Sequence, residues 1–116
     1  MIDPVWLAPL DTETIAESIR RTGHLCMVDN GWTMCGAGAE IVARVMETLQ
    51  GARDIRVRRL GFAPVTCPPT PPLEDRFYPN AQTIASAAYE LVRGDGVRWS
   101  PAAREKDSDI QFRGPF

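Results

Sequence analysis

The sequence predicts an α/β fold in which helices cover a mostly parallel sheet. Helical and strand patterns alternate between residues 11 and 93, which is typical of parallel strands joined by crossover helices. The segment HLCMVDN (residues 24–30) is apolar without alternation, as expected of a central strand covered on both faces. The chain has 116 residues, enough for one small domain.

Two further strands are predicted, one before and one after this apolar run. Residues 5–10 form a short extended stretch that Pro9 interrupts. In residues 55–62, Ile55 and Val57 alternate with arginines, and one charged face indicates a strand near a sheet edge. Three strand candidates are few for a stable sheet between two helical layers.

The first helix is predicted over residues 11–23. Asp11 is a suitable N-cap, and Gly23 is a suitable residue to end the helix. Ile15 and Ile19 lie one turn apart, so they define the face that we expect to be buried.

Two more helices are predicted over residues 36–49 and 81–93. Gly51 ends the first of them and Asn80 caps the second. The apolar positions at helical spacing are expected to face the sheet, namely Gly38, Ile41, Val42, Val45 and Leu49 in the first helix and Ile84, Ala88 and Leu91 in the second.

The segment between the last strand and the last helix, residues 61–80, contains six prolines. We therefore expect neither a helix nor a central strand there. Large apolar side chains are interleaved with the prolines, which favours an ordered loop packed on the domain or across an interface over a free PxxP ligand. Residues 94–116 are predicted to form a tail beyond a domain of residues 1–93, and its GDG stretch (residues 94–96) to stop the helix and turn the chain.

Composition and charge argue against several classes of function. The net charge of −2 gives no basic field for nucleic acid, and no apolar run approaches the ~18 residues of a membrane span. The N-terminus lacks the pattern of a signal peptide, so the cytoplasm is the expected location. Three widely spaced cysteines and a single histidine, His24, predict neither a disulfide framework nor a metal site.

The turn before the second helix is a candidate site. Gly36 and Gly38 supply two glycines of the dinucleotide fingerprint G-x-G-x-x-G, but Ile41 stands where the third is needed. Cys35, Gly36 and Ala37 carry the N–H groups that would contact an anion at the helix N-terminus. The favoured interpretation is that the glycines let the helix lie close to the sheet or to a neighbouring subunit.

Longer motifs resemble a known family. PLDTETI matches a "PLD-x-x-T-I" helix, DNG a "(D/E)-(E/N)-G" strand end, GAGAEI a "G-x-G-A-E-I" helix start, and PPTPPLEDRFYP a "P-x-x-P-P-L-E-x-x-F-x-P" loop. Over residues 9–92 the sequence resembles the C-terminal domain of the transketolase superfamily, and most of all the beta subunit of thiamine-dependent 2-oxoacid dehydrogenases of the pyruvate, branched-chain and acetoin types. The final DIQFRGPF is also similar to the end of such subunits.

The resemblance implies a three-layer α/β/α domain with a mixed, mostly parallel sheet that lacks the family's first strand–helix unit. In the family that strand lies between the counterparts of residues 4–7 and 25–28, so we expect a gap with unpaired backbone groups there. Direct pairing, strand exchange with another copy or a separately encoded remainder would close it.

The resemblance also implies a complete enzyme that uses thiamine diphosphate and magnesium to decarboxylate a 2-oxoacid and to pass the acyl group to lipoamide. The family's activating glutamate and active-site histidine lie in a pyrimidine-binding domain, and its diphosphate site lies on the partner subunit. Neither the pyrimidine-binding domain nor the diphosphate site has a counterpart in this sequence, so no catalytic, cofactor-binding or metal-binding residue is assigned. The chain alone is expected to bind no cofactor and to be inactive.

Three functions remain open from the sequence. The first is a non-catalytic assembly domain that contacts a second copy, an alpha subunit or the missing pyrimidine-binding domain. Its C-terminal Phe112, Arg113, Pro115 and Phe116 would then also contact a dihydrolipoyl acyltransferase. The second is a separately encoded subunit of a split thiamine-dependent enzyme, active only with its partners. The third is a small anion-binding module.

Overall fold

A computed structural model describes residues 1–52 and 54–102 of the chain. Along these residues the elements are α1 (Thr12–Thr22), β1 (His24–Trp32), α2 (Ala37–Thr48), β2 (Arg56–Phe62), α3 (Pro71–Phe77) and α4 (Ala81–Arg93). The parallel pairing of β1 with β2 and the alternation of strands with helices confirm the predicted α/β class.

The sheet has helices on both faces. β1 and β2 pair from His24 opposite Arg56 to Val28 opposite Leu60, and the register shifts before Trp32 pairs with Phe62. On one face, Leu25 and Met27 pack against the core formed with α1 and α2. On the other, the Arg56 guanidinium donates to the carbonyl oxygen of Leu91 in α4, at 3.4 Å. Because side chains alternate across a strand, α1 and α2 form one outer layer and α4 forms the other.

The predicted boundaries of α1 and α4 are confirmed, whereas α2 ends at its C-cap Leu49, two residues before the predicted Gly51. The Asp11 carboxylate accepts a hydrogen bond from the backbone of Thr14 at 3.0 Å, and Gly23 ends α1 in the left-handed conformation with φ of 71°. Asn80 caps α4, and Gly94 ends it with φ of 67°. The left-handed conformation suits glycine because it has no Cβ, and it also confirms the GDG stretch as a helix stop and turn.

The core lies on one side of the sheet. Its buried members come from α1 and from α2 with the residue that ends it, and they are Ile15, Ala16, Ile19, Ile41, Val45 and Leu49. These include the predicted inner residues of both helices except Gly38, which is buried but lies outside this cluster, and Val42, which is half-buried. In α4 the predicted inward residues are only half-buried, and Ala87 is the buried one. A sheet of two described strands is too narrow to cover the whole inner face of α4.

Two predictions about local structure were wrong. The proline-rich segment does contain a helix, α3, in which Pro71 and Pro72 occupy the first turn. Proline is tolerated there because the backbone N–H groups of a first turn make no hydrogen bond within the helix. Residues 5–10 form no strand, since the described part of the chain gives them no strand to pair with.

β1 is also less buried than the sequence predicted. Its residues are mostly half-buried instead of buried, because within the described part of the chain β1 has a strand neighbour on one side only. The division between a domain of residues 1–93 and a tail stays a prediction. No helix in residues 1–52 and 54–102 is long and apolar enough to cross a membrane.

Candidate functional site

Four aromatic side chains meet where the two strands end. Trp32 closes β1, Phe62 closes β2, Phe77 closes α3, and Tyr78 follows it. Phe62 stacks on Phe77 with ring centroids 4.7 Å apart, and Trp32 meets these two rings edge-on at 5.8 and 6.1 Å. Tyr78 meets the same two edge-on at 5.2 and 5.0 Å. Such geometries stabilise aromatic pairs beyond their burial, so these four residues, the aromatic cluster, form a fixed unit.

Backbone contacts hold the cluster in place. The N–H of Ala63, just after β2, donates to the carbonyl of Phe77 at 3.0 Å, which ties α3 to the sheet. A Cβ at Gly61 would lie 2.5 Å from the carbonyl oxygen of Gly31, so the two strand ends approach as closely as glycine allows. The Arg59 guanidinium also donates to the carbonyl of Thr33, which follows Trp32, at 2.8 Å.

The outer part of the cluster faces solvent. Phe77 is buried at its base, while Trp32 is 47% exposed and Tyr78 is 36% exposed. Two residues beyond Trp32, the side chain of Met34 is 77% exposed. Exposed aromatic and methionine side chains on a rigid base are typical of surfaces that bind other proteins.

The proline-rich segment folds back onto this surface. A hydrogen bond with the Cys67 side chain is the main reason that the pKa of Tyr78 is raised, and the negative charge of a Cys67 thiolate adds to it. Phe62 and Phe77 pack on the domain as predicted for this segment. Val65 and Leu73, by contrast, remain exposed, so part of the segment is available for contact.

The glycine turn packs α2 onto the sheet. A Cβ at Gly36 would overlap the carbonyl oxygen of Trp32, and a Cβ at Gly38 would lie 3.3 Å from the Met27 side chain. Gly38 is buried. These contacts agree with the interpretation that the glycines serve close packing of helix on strand.

A carboxylate of the chain itself lies at the N-terminus of α2. Asp29 Oδ2 accepts a hydrogen bond from the backbone N–H of Gly38 at 3.3 Å. This negative charge already interacts with the helix dipole and repels a second anion. The anion contact at Cys35, Gly36 and Ala37 stays a prediction, and Asp29 argues against it.

Other candidate positions are less informative. Phe112, Arg113, Pro115 and Phe116 lie outside the described residues. Within the described ranges, His, Cys, Asp and Glu side chains form no group of three or more that could hold a metal ion.

Sequence reasoning missed the aromatic cluster as a unit. Phe62, Phe77 and Tyr78 are among the large apolar residues interleaved with the prolines of residues 61–80, but Trp32 comes from a distant segment. Its position at the end of an apolar strand was the available signal, because parallel strands bring their carboxyl ends to one edge of the sheet.

Comparisons with known proteins identify the family. Residues 1–84 match the family described as "Transketolase, C-terminal domain". The chain belongs to this family. The matched segment of this transketolase C-terminal domain contains the whole aromatic cluster and ends within α4.

The relatives are beta subunits. The chain is 39% identical over 89 residues to the "Pyruvate dehydrogenase E1 component subunit beta, mitochondrial" of Drosophila melanogaster, which covers 76% of this chain and 24% of that protein. It is 39% identical over 82 residues to the human protein of the same name, covering 70% of this chain and 23% of that protein.

A bacterial relative agrees with them. Over 94 residues the chain is 33% identical to the "Acetoin:2,6-dichlorophenolindophenol oxidoreductase subunit beta" of Cupriavidus necator, covering 81% of this chain and 28% of that protein. The chain thus spans about a quarter of the length of the curated relatives it matches. No solved structure matches it.

Proposed function

We propose that this chain is the subunit-assembly domain of a thiamine diphosphate-dependent 2-oxoacid dehydrogenase beta subunit, contributing contact surface and no catalytic group. The observation that carries the proposal is the aromatic cluster, in which exposed Trp32 and Tyr78 contact the buried Phe77. Met34, two residues after Trp32, is also exposed. Rigid aromatic groups lose little conformational entropy on binding, so they serve well as interface anchors.

The names of the relatives support this proposal. They are called subunits and components, which are words for parts of larger assemblies. The proposed partners are an alpha subunit, a pyrimidine-binding domain like the one that the resemblance implies, and a second copy of the chain. Thiamine diphosphate and magnesium would belong to the complete assembly.

We infer that the described residues do not hold thiamine diphosphate by themselves. The Asp29 carboxylate already accepts from the N–H of Gly38 at the N-terminus of α2, and it would repel a diphosphate placed there. We therefore expect calorimetry to detect no binding of thiamine diphosphate with magnesium to the chain alone. Tight binding by the isolated chain would contradict the proposed role.

Reconstitution tests the assembly role. The chain is mixed with a pyruvate dehydrogenase alpha subunit and with a relative's beta subunit truncated to remove the region that this chain matches. We expect a complex in size-exclusion chromatography with light scattering, and the variant Trp32→Ala/Met34→Ala to weaken it about tenfold or more. Val92→Ala, an exposed change on α4, is the matched control. Equal affinity of the double variant and the control would reject the aromatic cluster as the contact surface.

The same mixture tests the alternative function. If the chain is a separately encoded subunit of a split enzyme, adding it should restore thiamine-dependent decarboxylation of a 2-oxoacid. A complex without activity supports a purely structural role. The cytoplasmic location expected from the sequence stays a prediction.

The C-terminal segment is proposed as a second contact. Removing residues 110–116 should leave the melting temperature of the domain unchanged, since we place these residues in a tail. It should weaken binding to the peripheral binding domain of a dihydrolipoyl acyltransferase, because it removes two aromatic side chains and a cation. Unchanged affinity by calorimetry would reject this contact.

A further inference from the structure

We infer that Asn30 is a modification site of the folded chain, at which the backbone nitrogen of Gly31 attacks the side-chain amide and converts the asparagine to aspartate and isoaspartate. Both residues belong to the DNG motif near the end of β1. The inference concerns the chemistry of the chain itself and does not depend on the proposed function.

The reaction needs water as its only co-reactant. The backbone nitrogen of Gly31 loses its proton and forms a bond to Asn30 Cγ, the bond from Cγ to the amide nitrogen breaks, and ammonia leaves with that proton. Water then opens the cyclic imide. Attack at Cγ gives aspartate, and attack at the backbone carbonyl gives isoaspartate, in which the main chain runs through the side chain. Nothing is oxidised or reduced. Glycine favours the first step because it has no Cβ to obstruct ring closure.

The backbone leaves the regular ladder at this position. The register of β1 on β2 shifts between Val28 and Trp32, so that residues 29–31 stand opposite Gly61 alone. Such an irregularity interrupts the hydrogen bonds of the ladder and bends the strand. Regular pairing would keep the backbone extended and the nitrogen away from the Asn30 side chain. Here that restraint is missing.

The Asn30 side chain is also free to move. It is exposed to solvent, and within residues 1–52 and 54–102 its amide makes no hydrogen bond to another group. The amide can therefore turn toward the backbone, and water can reach the imide. Asparagine is among the thermolabile residues of proteins, and nothing in the described part of the chain protects this one.

Asn80, the other asparagine of the chain, provides an internal control. It is followed by Ala81, which has a Cβ. Its Oδ1 accepts from the backbone of Thr83 at 2.9 Å, and its amide donates to the carbonyl of Asp75 at 3.3 Å. The cap holds this side chain in one position, so we expect Asn80 to react much more slowly than Asn30.

The pair Asp95–Gly96 provides a second control, because an aspartate before glycine can form the same imide. The Asp95 carboxylate accepts two hydrogen bonds from the Arg93 guanidinium, at 3.1 and 2.8 Å, and one from the backbone of Val97 at 3.1 Å. These bonds, those from Arg93 first, lower the pKa of Asp95. An ionised and hydrogen-bonded carboxylate resists attack by a nucleophile, so isoaspartate should form at Asn30 before it forms here.

The modification changes the end of β1. Asp29 Oδ2 lies 3.0 Å from the point where a Cβ at Gly31 would stand, so a carboxylate at residue 30 adds a second negative charge to this stretch, and like charges repel. Isoaspartate also adds a backbone carbon two residues before Trp32. We expect it to disturb the pairing of Trp32 with Phe62.

Peptide mapping by mass spectrometry tests the inference. The purified full chain is incubated at mildly alkaline pH, folded or unfolded in urea. In the folded chain, exchange of NH2 for OH should occur at Asn30 about tenfold or more faster than at Asn80, with isoaspartate among the products. The rate should rise with pH, since the attacking nitrogen must lose its proton. Equal rates at the two asparagines, or a reaction at Asn30 only in urea, would overturn the inference.

Two variants test the route. Gly31→Ala retains the amide but places a Cβ beside the attacking nitrogen, and Asn30→Gln requires a larger ring. Each should slow the loss of ammonia at residue 30 about tenfold or more. Circular dichroism checks that each variant folds, and Asn30→Gln changes only an exposed side chain. An unchanged rate in Gly31→Ala would show direct hydrolysis by water and would contradict attack by the backbone.

Discussion

Asp11 shows how one side chain fixes the start of an element. Its carboxylate accepts a hydrogen bond from the Thr14 hydroxyl at 2.6 Å and one from the Thr14 backbone N–H at 3.0 Å. These two bonds, the hydroxyl first, lower the pKa of Asp11 below its ordinary value of 3.8. The charged form is thus favoured in the folded chain.

This cap predicts a pH dependence of stability. Because the folded-state pKa is lowered, the stabilisation by the charged carboxylate is fully present above about pH 4 and is lost as the pH falls through the folded pKa. Asp11→Asn keeps an acceptor for the backbone N–H but removes the charge. We expect the variant to melt at a lower temperature than the wild type at pH 7, and the difference to disappear at the lowest pH at which both fold.

Thermal unfolding followed by circular dichroism across this pH range provides the measurement. Asp11→Ala is the control, since it removes the hydrogen-bond acceptor as well and should be less stable than Asp11→Asn at every pH. A difference between wild type and Asp11→Asn that does not change with pH would contradict the assignment.

At the scale of elements, the ends of a helix are determined by residues close to them in the chain, whereas its position is determined by contacts with other elements. α4 begins with a reciprocal cap, in which Asn80 Oδ1 accepts from the Thr83 backbone at 2.9 Å and Thr83 Oγ1 accepts from the Asn80 backbone at 2.9 Å. The Asn80 amide also donates to the carbonyl of Asp75 in α3 at 3.3 Å. This residue therefore starts one helix and links it to the preceding one.

Removing the cap should weaken α4 measurably. Asn80→Ala leaves the N–H of Thr83 without its acceptor and should lower the free energy of unfolding by about 1 kcal/mol, the usual loss for an N-cap. Asn80→Ser retains a capping oxygen and should lose much less. Urea denaturation at neutral pH provides the comparison, and equal stability of the two variants would show that the cap contributes nothing.

At the scale of the whole molecule, the stabilising core is small and lies on one side. The fully buried side chains are concentrated between α1, α2 and one face of the sheet, whereas most of the apolar side chains of α4 are only half-buried. Small domains have total stabilities of about 5–15 kcal/mol. Each side chain of such a core therefore carries a large share of the total.

Ile19→Ala should be among the most destabilising changes. Ile19 is 3% exposed and belongs to this core, so its truncation should lower the free energy of unfolding by about 2–5 kcal/mol. The exposed Val92→Ala should change it by less than about 0.5 kcal/mol. Urea denaturation of the three proteins side by side tests this, and a loss similar to that of Val92→Ala would place the core elsewhere.

The sequence was a reliable guide where the signal was local. Asp11, Gly23 and Asn80 mark helix ends through hydrogen bonds and backbone conformations that involve only a few neighbouring residues, and all three predictions are confirmed. The prediction of no helix in residues 61–80 was wrong because proline does not break a helix at every position. Pro71 and Pro72 stand in the first turn of α3, where they are tolerated.

Features that depend on contacts between distant residues could not be predicted from the sequence. The burial of α4 and the absence of a strand over residues 5–10 depend on how many strands are present and on their order. The aromatic cluster depends on the same information, since Trp32 and Phe77 are far apart in the chain and meet at 6.1 Å only because β1 and β2 pair in parallel.

The α/β class, the ends of α1 and α4 and the resemblance to a family could be predicted from the amino-acid sequence, because periodicity, capping, turn chemistry and short motifs involve residues that are close together in the chain. The three-dimensional structure was needed to show that the rings of Trp32, Phe62, Phe77 and Tyr78 form one surface. This surface depends on the parallel pairing of β1 with β2, which brings together side chains that are far apart in the sequence.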